Sequence, residues 1–310
     1  MPTPPHAIGL LTHPKKPDSL VLAERMGRYL RERGCGVWTG SAWDEPAALA
    51  HVAALDLLIT LGGDGTMLRA ARVGSGYGVP ILGVKLGRVS FLAELQPDDW
   101  QTPLDALLAG RYWLEERLLL DVAVARNDGR SSRSSDFSRP VQPETTEVVT
   151  TNETTDPPAF TPDHCYTALN DVVIARGSLA RLITVEAWVD EGYLARYRAD
   201  GVIVSTPTGS TGYALAAGGP ILPPELKNIL LIPICPHLSL DRPVVLSQGA
   251  TVRLEVHADY PAILTVDGQF EITLTEGDRV EVRASPHVSQ FVHVQERAYF
   301  YRTLMERLRW

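Results

Sequence analysis

Gly62, Gly63, Asp64, Gly65 and Thr66 stand together between the apolar run Leu57–Leu61 and a helical pattern over Thr66–Val73. Glycines in such a turn let backbone amides approach a phosphate closely, and they permit unusual φ values. The helix that follows offers free N–H groups and a positive dipole end to the same anion. A carboxylate inside a phosphate nest repels the phosphate, so Asp64 needs a separate use. Taking a proton from an attacking hydroxyl, or holding a metal ion, would supply one. The alternative is a tight strand-to-helix turn in which Asp64 only caps the helix.

A second constellation lies between Arg198 and Pro220. The strand Val202–Val204 enters a turn carrying Ser205, Thr206, Thr208, Ser210 and Thr211. After Gly212 a short helix of small residues begins, through Tyr213, Ala214, Leu215 and Ala216. Five hydroxyls exceed what a loop requires, and they can bond to sugar hydroxyls and base edges. Tyr213 offers a flat face on which a purine can stack. Arg198 and Asp200 share one strand face at period two, as an ion pair or a polar clamp. A hydroxyl-rich turn with a purely structural role is the competing reading.

The elements that must position these residues change character along the chain. Strands over Ala7–Leu11, from Val37, over Leu57–Leu61 and over Pro80–Val84 alternate with helices over Asp18–Arg33, Glu45–Ala54 and Thr66–Val73. Asp18 or Ser19 is the expected N-cap of the first helix, with Gly34 past its end. This alternation predicts a doubly wound α/β domain with a parallel sheet and ligands at the carboxyl ends of its strands.

From about residue 112 strands follow one another: Ala168–Ala175, Leu182–Val189, Tyr193–Arg198, Gly201–Ser205, Asn228–Ile234, Val244–Leu246, Thr251–His257, Ile263–Val266, Arg279–Arg283 and Gln290–Val294. Turns at Asp190-Glu191-Gly192 and Asp267-Gly268 mark hairpins, and the whole predicts a mainly antiparallel, sandwich-like domain. The expected division is an α/β domain over 1–105 and an all-β domain over 106–297. A C-terminal helix over 298–310, with Phe300, Leu304 and Leu308 on one stripe, is expected to return to the first domain. The Ser-, Thr-, Pro- and acid-rich segment 127–162 is predicted to be a disordered insertion, because it cannot bury enough surface to offset its ordering entropy.

Composition narrows the function classes. A net charge of −8 argues against a general nucleic-acid binder. Cys35, Cys165 and Cys235 show no CxxC spacing, which fits reduced thiols in a cytosol, and the eight histidines form no HxxxH or HExxH pair. No signal peptide is apparent, and no apolar run reaches membrane-spanning length. A soluble, cytoplasmic protein is expected. The absence of Gly-x-x-x-x-Gly-Lys-Ser/Thr excludes the ATPase-type phosphate loop, and the absence of Gly-x-Gly-x-x-Gly after the first strand disfavours a Rossmann dehydrogenase.

The chain resembles the ATP-dependent NAD kinase family. The resemblance is carried by Gly62–Thr66, Ile81–Val84 through Phe91-Leu92, Ala168-Leu169-Asn170-Asp171-Val172-Val173 and the Asp200–Pro220 run. Pro233–His237 with Arg242-Pro243, and Val266-Asp267-Gly268-Gln269, add to it. It implies transfer of the γ-phosphoryl group of ATP to the 2′-hydroxyl of the adenosine ribose of NAD, giving NADP, in a homodimer or homotetramer. Asp64 then matches the proton acceptor, Gly65 a dinucleotide contact and Arg69 a further candidate one helical turn on. Asn170 and Asp171 match the pair that holds the adenosine. Arg198, Asp200, Thr208 and Thr211 through Ala216 match positions lining the NAD site, with Phe91, Arg181 and Gln269 as further carry-overs. His237 also matches a family position. ATP would place its phosphates on Gly62, Gly63, Gly65 and Thr66, with Mg²⁺ bridging them. Lys85 and Ser90 depart from the family's usual Asn and Gly, and Gly212 from its usual Ala. Two rivals are a lipid kinase of the diacylglycerol or sphingosine type, which shares the Gly-Gly-Asp-Gly-Thr loop, and a non-catalytic NAD-binding sensor. The first needs a membrane-facing surface, and no basic amphipathic helix or exposed apolar stretch is readable to supply it.

Overall fold

A computed structural model describes residues 3–87, 90–127, 163–178, 181–237, 240–296 and 304. Strands and helices alternate first: β1 (Ala7–Thr12), α1 (Pro17–Arg31), β2 (Gly36–Ser41), α2 (Glu45–Val52), β3 (Leu57–Gly62), α3 (Asp64–Ser75), β4 (Ile81–Lys85) and α4 (Gln101–Leu108). The first four strands pair in parallel in the order β2-β1-β3-β4. Alternate residues enter two cores, because successive side chains of a strand point to opposite faces. Ile8, Leu10, Leu57, Ile59, Leu61, Leu82 and Val84 pack with α1 and α4 on one face. Leu11, Leu58 and Ile81 pack with α2 and α3 on the other. The sheet is doubly wound, as expected.

The N-cap of α1 is Lys16 rather than Asp18 or Ser19. Pro17 fits the first helical position, where its missing N–H costs nothing. Ser19 is fully buried instead, its hydroxyl donating to the Leu61 carbonyl at 2.8 Å and accepting from the His13 amide at 2.9 Å.

Among the described residues from Trp113 to Glu296 the elements are strands, save one short helical passage. β5 (Trp113–Ala125), β6 (His164–Ala168), β7 (Asp171–Arg176), β8 (Ile183–Val189), β9 (Gly192–Ala199) and β10 (Gly201–Ser205) come first. A 3₁₀ turn (Gly209–Thr211) and α5 (Tyr213–Ala216) intervene. β11 (Ile229–Ile234), β12 (Val244–Leu246), β13 (Thr251–His257), β14 (Ala262–Val266), β15 (Phe270–Leu274) and β16 (Arg279–His293) complete it. Six of them form an antiparallel sheet in the order β12-β11-β10-β7-β14-β15. Its inner face packs on β5, β6, β8, β9, β13 and β16 around one apolar core. The sandwich-like domain is therefore present.

Two expectations change. The segment Ala168–Ala175 is two strands, not one, because Leu169 and Asn170 turn the chain from one sheet to the other. Arg279–Arg283 and Gln290–Val294 are parts of one strand, β16, with an irregularity between Ala284 and Val288. That strand pairs antiparallel with β5 and β13 and, at Phe291, in parallel with Ile81 of β4. One ten-stranded sheet therefore runs through both lobes. α4, β5, β6 and β15 complete the architecture without having been delimited from sequence. Segment 127–162, apart from Asn127, and helix 298–310, apart from the helical Leu304, lie outside the described residues.

Candidate active site

β3 delivers Gly62 to the carboxyl edge of the parallel sheet, and α3 starts two residues later with Gly63 as its N-cap. None of Gly62, Gly63 and Gly65 has a positive φ, so these glycines are not there for unusual backbone angles. Gly62 is required by packing: a Cβ there would lie 2.1 Å from Thr66 Oγ1. A Cβ on Gly63 or Gly65 would meet nothing within 4 Å, which leaves that side of the loop open to a ligand. First-turn amides have no intrahelical acceptor and carry the positive helix end. Basic groups gather beside them. The Lys16 ammonium bonds the Leu86 carbonyl, Arg69 lies 4.5 Å over the Trp43 ring, and His13 tilts against that ring at 4.3 Å. Burial first, then Lys16, Lys15 and Arg69, pull the His13 pKa below its ordinary value. The Arg69 Nε is buried without a partner. This basic surround comes largely from the β1–α1 loop, which carried no motif to mark it.

Asp64 does not cap α3. Its carboxylate turns to the loop after β4, accepting the Ser90 hydroxyl, the Phe91 amide at 3.0 Å and the Leu92 amide at 3.2 Å. Ser90 Oγ in turn accepts the Ala93 amide at 2.9 Å. Ser90, where the resemblance expects Gly, thus acts directly on the candidate proton acceptor. An ionised carboxylate has about four acceptor positions. Three donors leave it room for about one substrate hydroxyl.

Asn170 ends the turn between β6 and β7, and Asp171 opens β7. Asp267 fixes them: its carboxylate accepts the amides of Leu169 at 2.9 Å, Asn170 at 2.7 Å and Asp171 at 3.2 Å. Asp267 and Gly268 have φ of 51° and 60°, the conformation of the tight hairpin expected there. Asp171 is 8% exposed, and burial followed by the nearby Asp267 charge push its pKa up to about 7. Burial raises Asp267 too, against the pull of three amides and Arg72.

The tip of this hairpin joins the two motifs. Gln269 Nε2 donates to the Gly65 carbonyl at 3.3 Å, and Gln269 Oε1 accepts from Arg72 at 3.0 Å. Arg72 also pairs with Glu45 at 2.9 Å and lies over the Phe270 ring at 4.6 Å. Within three residues, 267–269, the tip therefore touches both the glycine loop and the Asn170-Asp171 turn. Arg72 was not singled out from the sequence; its position one turn beyond Arg69 is the only signal that could have found it.

The hydroxyls of the second motif are mostly spent on the fold. Ser205, Thr206 and Ser210 are fully buried. They donate to the carbonyls of Asn170 (3.1 Å), Leu169 (2.6 Å) and Pro207 (2.6 Å). The structural reading is thus right for these three, which build the turn and hold Asn170. Thr208 accepts from Arg117 at 3.4 Å, and Thr211 bonds the Thr208 carbonyl at 3.3 Å. Tyr213 is 48% exposed, Ala216 and Gly212 are exposed and Leu215 is half-buried. Ala214 is buried against Ile203, Leu230 and Ile232, so its side chain faces the core.

Arg198 and Asp200 do not pair with each other. Asp200 binds Arg176 at 2.8 Å, and Arg198 is exposed. With Arg181, whose guanidinium lies 4.9 Å over Tyr260, Arg176 and Arg198 line a separate cavity of about 340 Å³. The exposed His237 sits beside them, its amide on the Arg198 carbonyl at 2.7 Å. Register pairs Ser205 with Asp171 and Gly201 with Ala175. The arginine group is therefore at the far end of β7 and β10, about 16 Å from Asp171 at about 3.3 Å per residue. Arg198, Asp200 and Arg181 do not join the inter-lobe site within one chain.

Among the described residues no three His, Cys, Asp or Glu side chains form a group that could hold a metal ion. No helix among them is long and apolar enough to cross a membrane.

Comparison with known proteins identifies the family. Family models match residues 8–112 as the ATP-NAD kinase N-terminal domain and 169–294 as the ATP-NAD kinase C-terminal domain. A protein named NAD kinase from Chloroflexus aurantiacus is 37% identical over 302 residues, spanning 97% of this chain and 98% of that one. Yeast NADH kinase, solved with NADH, superposes with a TM-score of 0.75 at 24% identity, over 99% of this chain and 88% of that one. An NAD kinase from Archaeoglobus fulgidus, solved with ATP, gives 0.70 at 24% identity over 98% of both chains. At that identity the solved structures establish the fold alone. With both halves matched, and a relative aligned along nearly its whole length, the chain belongs to the ATP-NAD kinase family.

Proposed function

We infer that the inter-lobe site transfers the γ-phosphoryl group of ATP to the 2′-hydroxyl of the adenosine ribose of NAD, giving NADP and ADP. The observation that carries this is the 267–269 hairpin tip, which joins the glycine loop of one lobe to the Asn170-Asp171 turn of the other. A donor phosphate and an acceptor sugar can therefore lie side by side. The bond from the γ-phosphorus to the bridging oxygen of ADP breaks as the ribose oxygen bonds to phosphorus. Asp64 accepts the hydroxyl proton. Because phosphoryl transfer is loose, positioning and charge neutralisation contribute more than proton removal.

In this reading Gly62, Gly63, Gly65 and Thr66 receive the phosphates, and Arg69 with Lys16 adds positive charge. Asn170 and Asp171 bind the adenosine, Tyr213 stacks on it, and Phe91, Thr208, Thr211, Leu215 and Ala216 line the pocket. Mg²⁺ would arrive with the nucleotide, as suits an ion held mainly by substrate phosphates. Its chemistry there is to neutralise phosphate charge. Arg181, Arg198 and Asp200 would serve the same dinucleotide only from a second copy of the chain, which favours a homodimer or homotetramer. The two lobes would divide near residue 105, and a cytosolic setting without membrane or nucleic-acid partners fits the net negative charge.

The test is a coupled assay of the purified protein with NAD or NADH against ATP, other triphosphates and polyphosphate, beside a diacylglycerol control. NADP formation with ATP is expected. Dinucleotide binding without product would favour the sensor, and phosphorylated lipid would favour the lipid kinase.

A further inference from the structure

A chain of buried charges links the two halves of the site by a second route. Glu94, 5% exposed, lies in the loop that holds Asp64 and accepts the amides of Val294 and Gln295, both at 2.8 Å. His293, the last residue of β16, contacts Glu94 through Nδ1 and Glu115 of β5 through Nε2, the latter at 2.8 Å. Glu115 takes Arg117 at 2.7 Å, and Arg117, 6% exposed, reaches Thr208 at 3.4 Å. Trp113 covers the imidazole, its ring 4.5 Å away and nearly parallel, with its indole N–H on the Gln295 carbonyl at 2.7 Å.

The protonation state follows from donor counting. Ionised carboxylates only accept hydrogen bonds, so both ring nitrogens must carry protons to satisfy Glu94 and Glu115 together. The imidazolium and the Arg117 guanidinium then balance two carboxylates. A neutral imidazole would turn a lone pair on one carboxylate and leave a net negative charge buried. Although burial opposes the charge, hydrogen bonds donated to Glu115 and Glu94 hold the imidazole pKa above its ordinary value.

We propose that His293 is a positioning residue, an imidazolium brace that fixes the Ser90–Leu95 loop, and with it Asp64, against the strand whose Arg117 supports Thr208. The effect on turnover rests on the phosphoryl-transfer reading above; the bracing itself does not. Of the charged groups facing His293, Glu94 comes from the loop, Glu115 from β5 and Arg117 acts through Glu115.

The test compares wild type, His293→Gln and Glu115→Gln by thermal unfolding, kcat and KM across pH, and backbone amide exchange of residues 90–95. His293→Gln is expected to lower kcat by about ten- to a hundredfold, the scale of an ångström-level misplacement, with a smaller change in KM for ATP. Wild-type kcat should fall as pH rises above the ordinary imidazole range. His293→Gln should lack that limb, and Glu115→Gln should move it to lower pH. Exchange over 90–95 should be fast in His293→Gln at every pH. A folded His293→Gln with wild-type kcat and wild-type protection overturns the proposal, as does a lowered melting temperature with the limb unmoved. Should His293→Gln not fold, the limb of Glu115→Gln decides. Should wild type make no NADP, the function reading fails, while exchange still decides the brace.

Discussion

Replacing Asp64 by Asn separates two jobs of one carboxylate, one proposed for the reaction and one seen in its hydrogen bonds. Asp64 accepts a proton in the proposed reaction, and it also ties down the loop after β4 through three donors. Asparagine keeps one oxygen and turns an NH₂ toward the other donors. At least one of the Phe91 and Leu92 amides then loses its acceptor, at about 1–3 kcal/mol. The surviving bonds lose their charge-assisted strength, roughly half their value. The expected stability loss is about 2–3 kcal/mol, read by urea unfolding. Turnover should fall by about 10²- to 10⁴-fold for loss of a general base, toward the low end because the transition state is loose. Affinity for NAD should change by less than about tenfold, since one hydrogen bond contributes about 0.5–1.5 kcal/mol. The informative control is Ser90→Ala, which removes one donor and leaves the carboxylate. It should keep turnover within about tenfold, the worth of one hydrogen bond. Near-normal turnover in Asp64→Asn would refute the proton-acceptor role. Equal losses in both variants would assign the effect to loop geometry instead.

Gly62→Ala should destabilise by about 1–3 kcal/mol because its Cβ meets Thr66 Oγ1 at 2.1 Å. Since that hydroxyl has no partner, Gly62→Ala with Thr66→Ala should recover part of the loss in a double-mutant cycle, the remainder reflecting Thr66 Cβ at 2.8 Å. Tyr213→Ala should raise the dinucleotide KM by about 5- to 150-fold with kcat little changed, the range of about 1–3 kcal/mol for base stacking on an aromatic ring. Asp171 binds its proton more tightly folded than unfolded, so the folded state holds more protons between about pH 4 and 7. Stability should therefore fall as pH rises through that window, and Asp171→Asn should flatten the slope in denaturant titrations.

Local signals reached as far as local physics allowed. The apolar runs of β1, β3 and β4 and the helical periods between them specify a doubly wound sheet, because strand and helix periods are properties of neighbouring residues. The Gly62–Thr66 turn was legible for the same reason. The length of β16 was not, since its bulge between Ala284 and Val288 looks like a break in the pattern. Nor was the division of Ala168–Ala175, where the polar Asn170-Asp171 pair interrupts the apolar run but a change of sheet depends on which strands each half meets.

The amino-acid sequence by itself determined which groups this protein offers for chemistry: a lone carboxylate among glycines, an Asn-Asp pair and a hydroxyl-rich turn. Only the tertiary structure decided how those groups are spent. Ser205, Thr206 and Ser210 satisfy buried carbonyls, Asp200 chooses Arg176 over Arg198, and Asp64 faces Ser90. Each of these choices depends on partners brought together by packing across strands and lobes. A hydrogen-bonding side chain names what it can bond, and its partner is fixed only when the fold removes water and leaves one acceptor within reach.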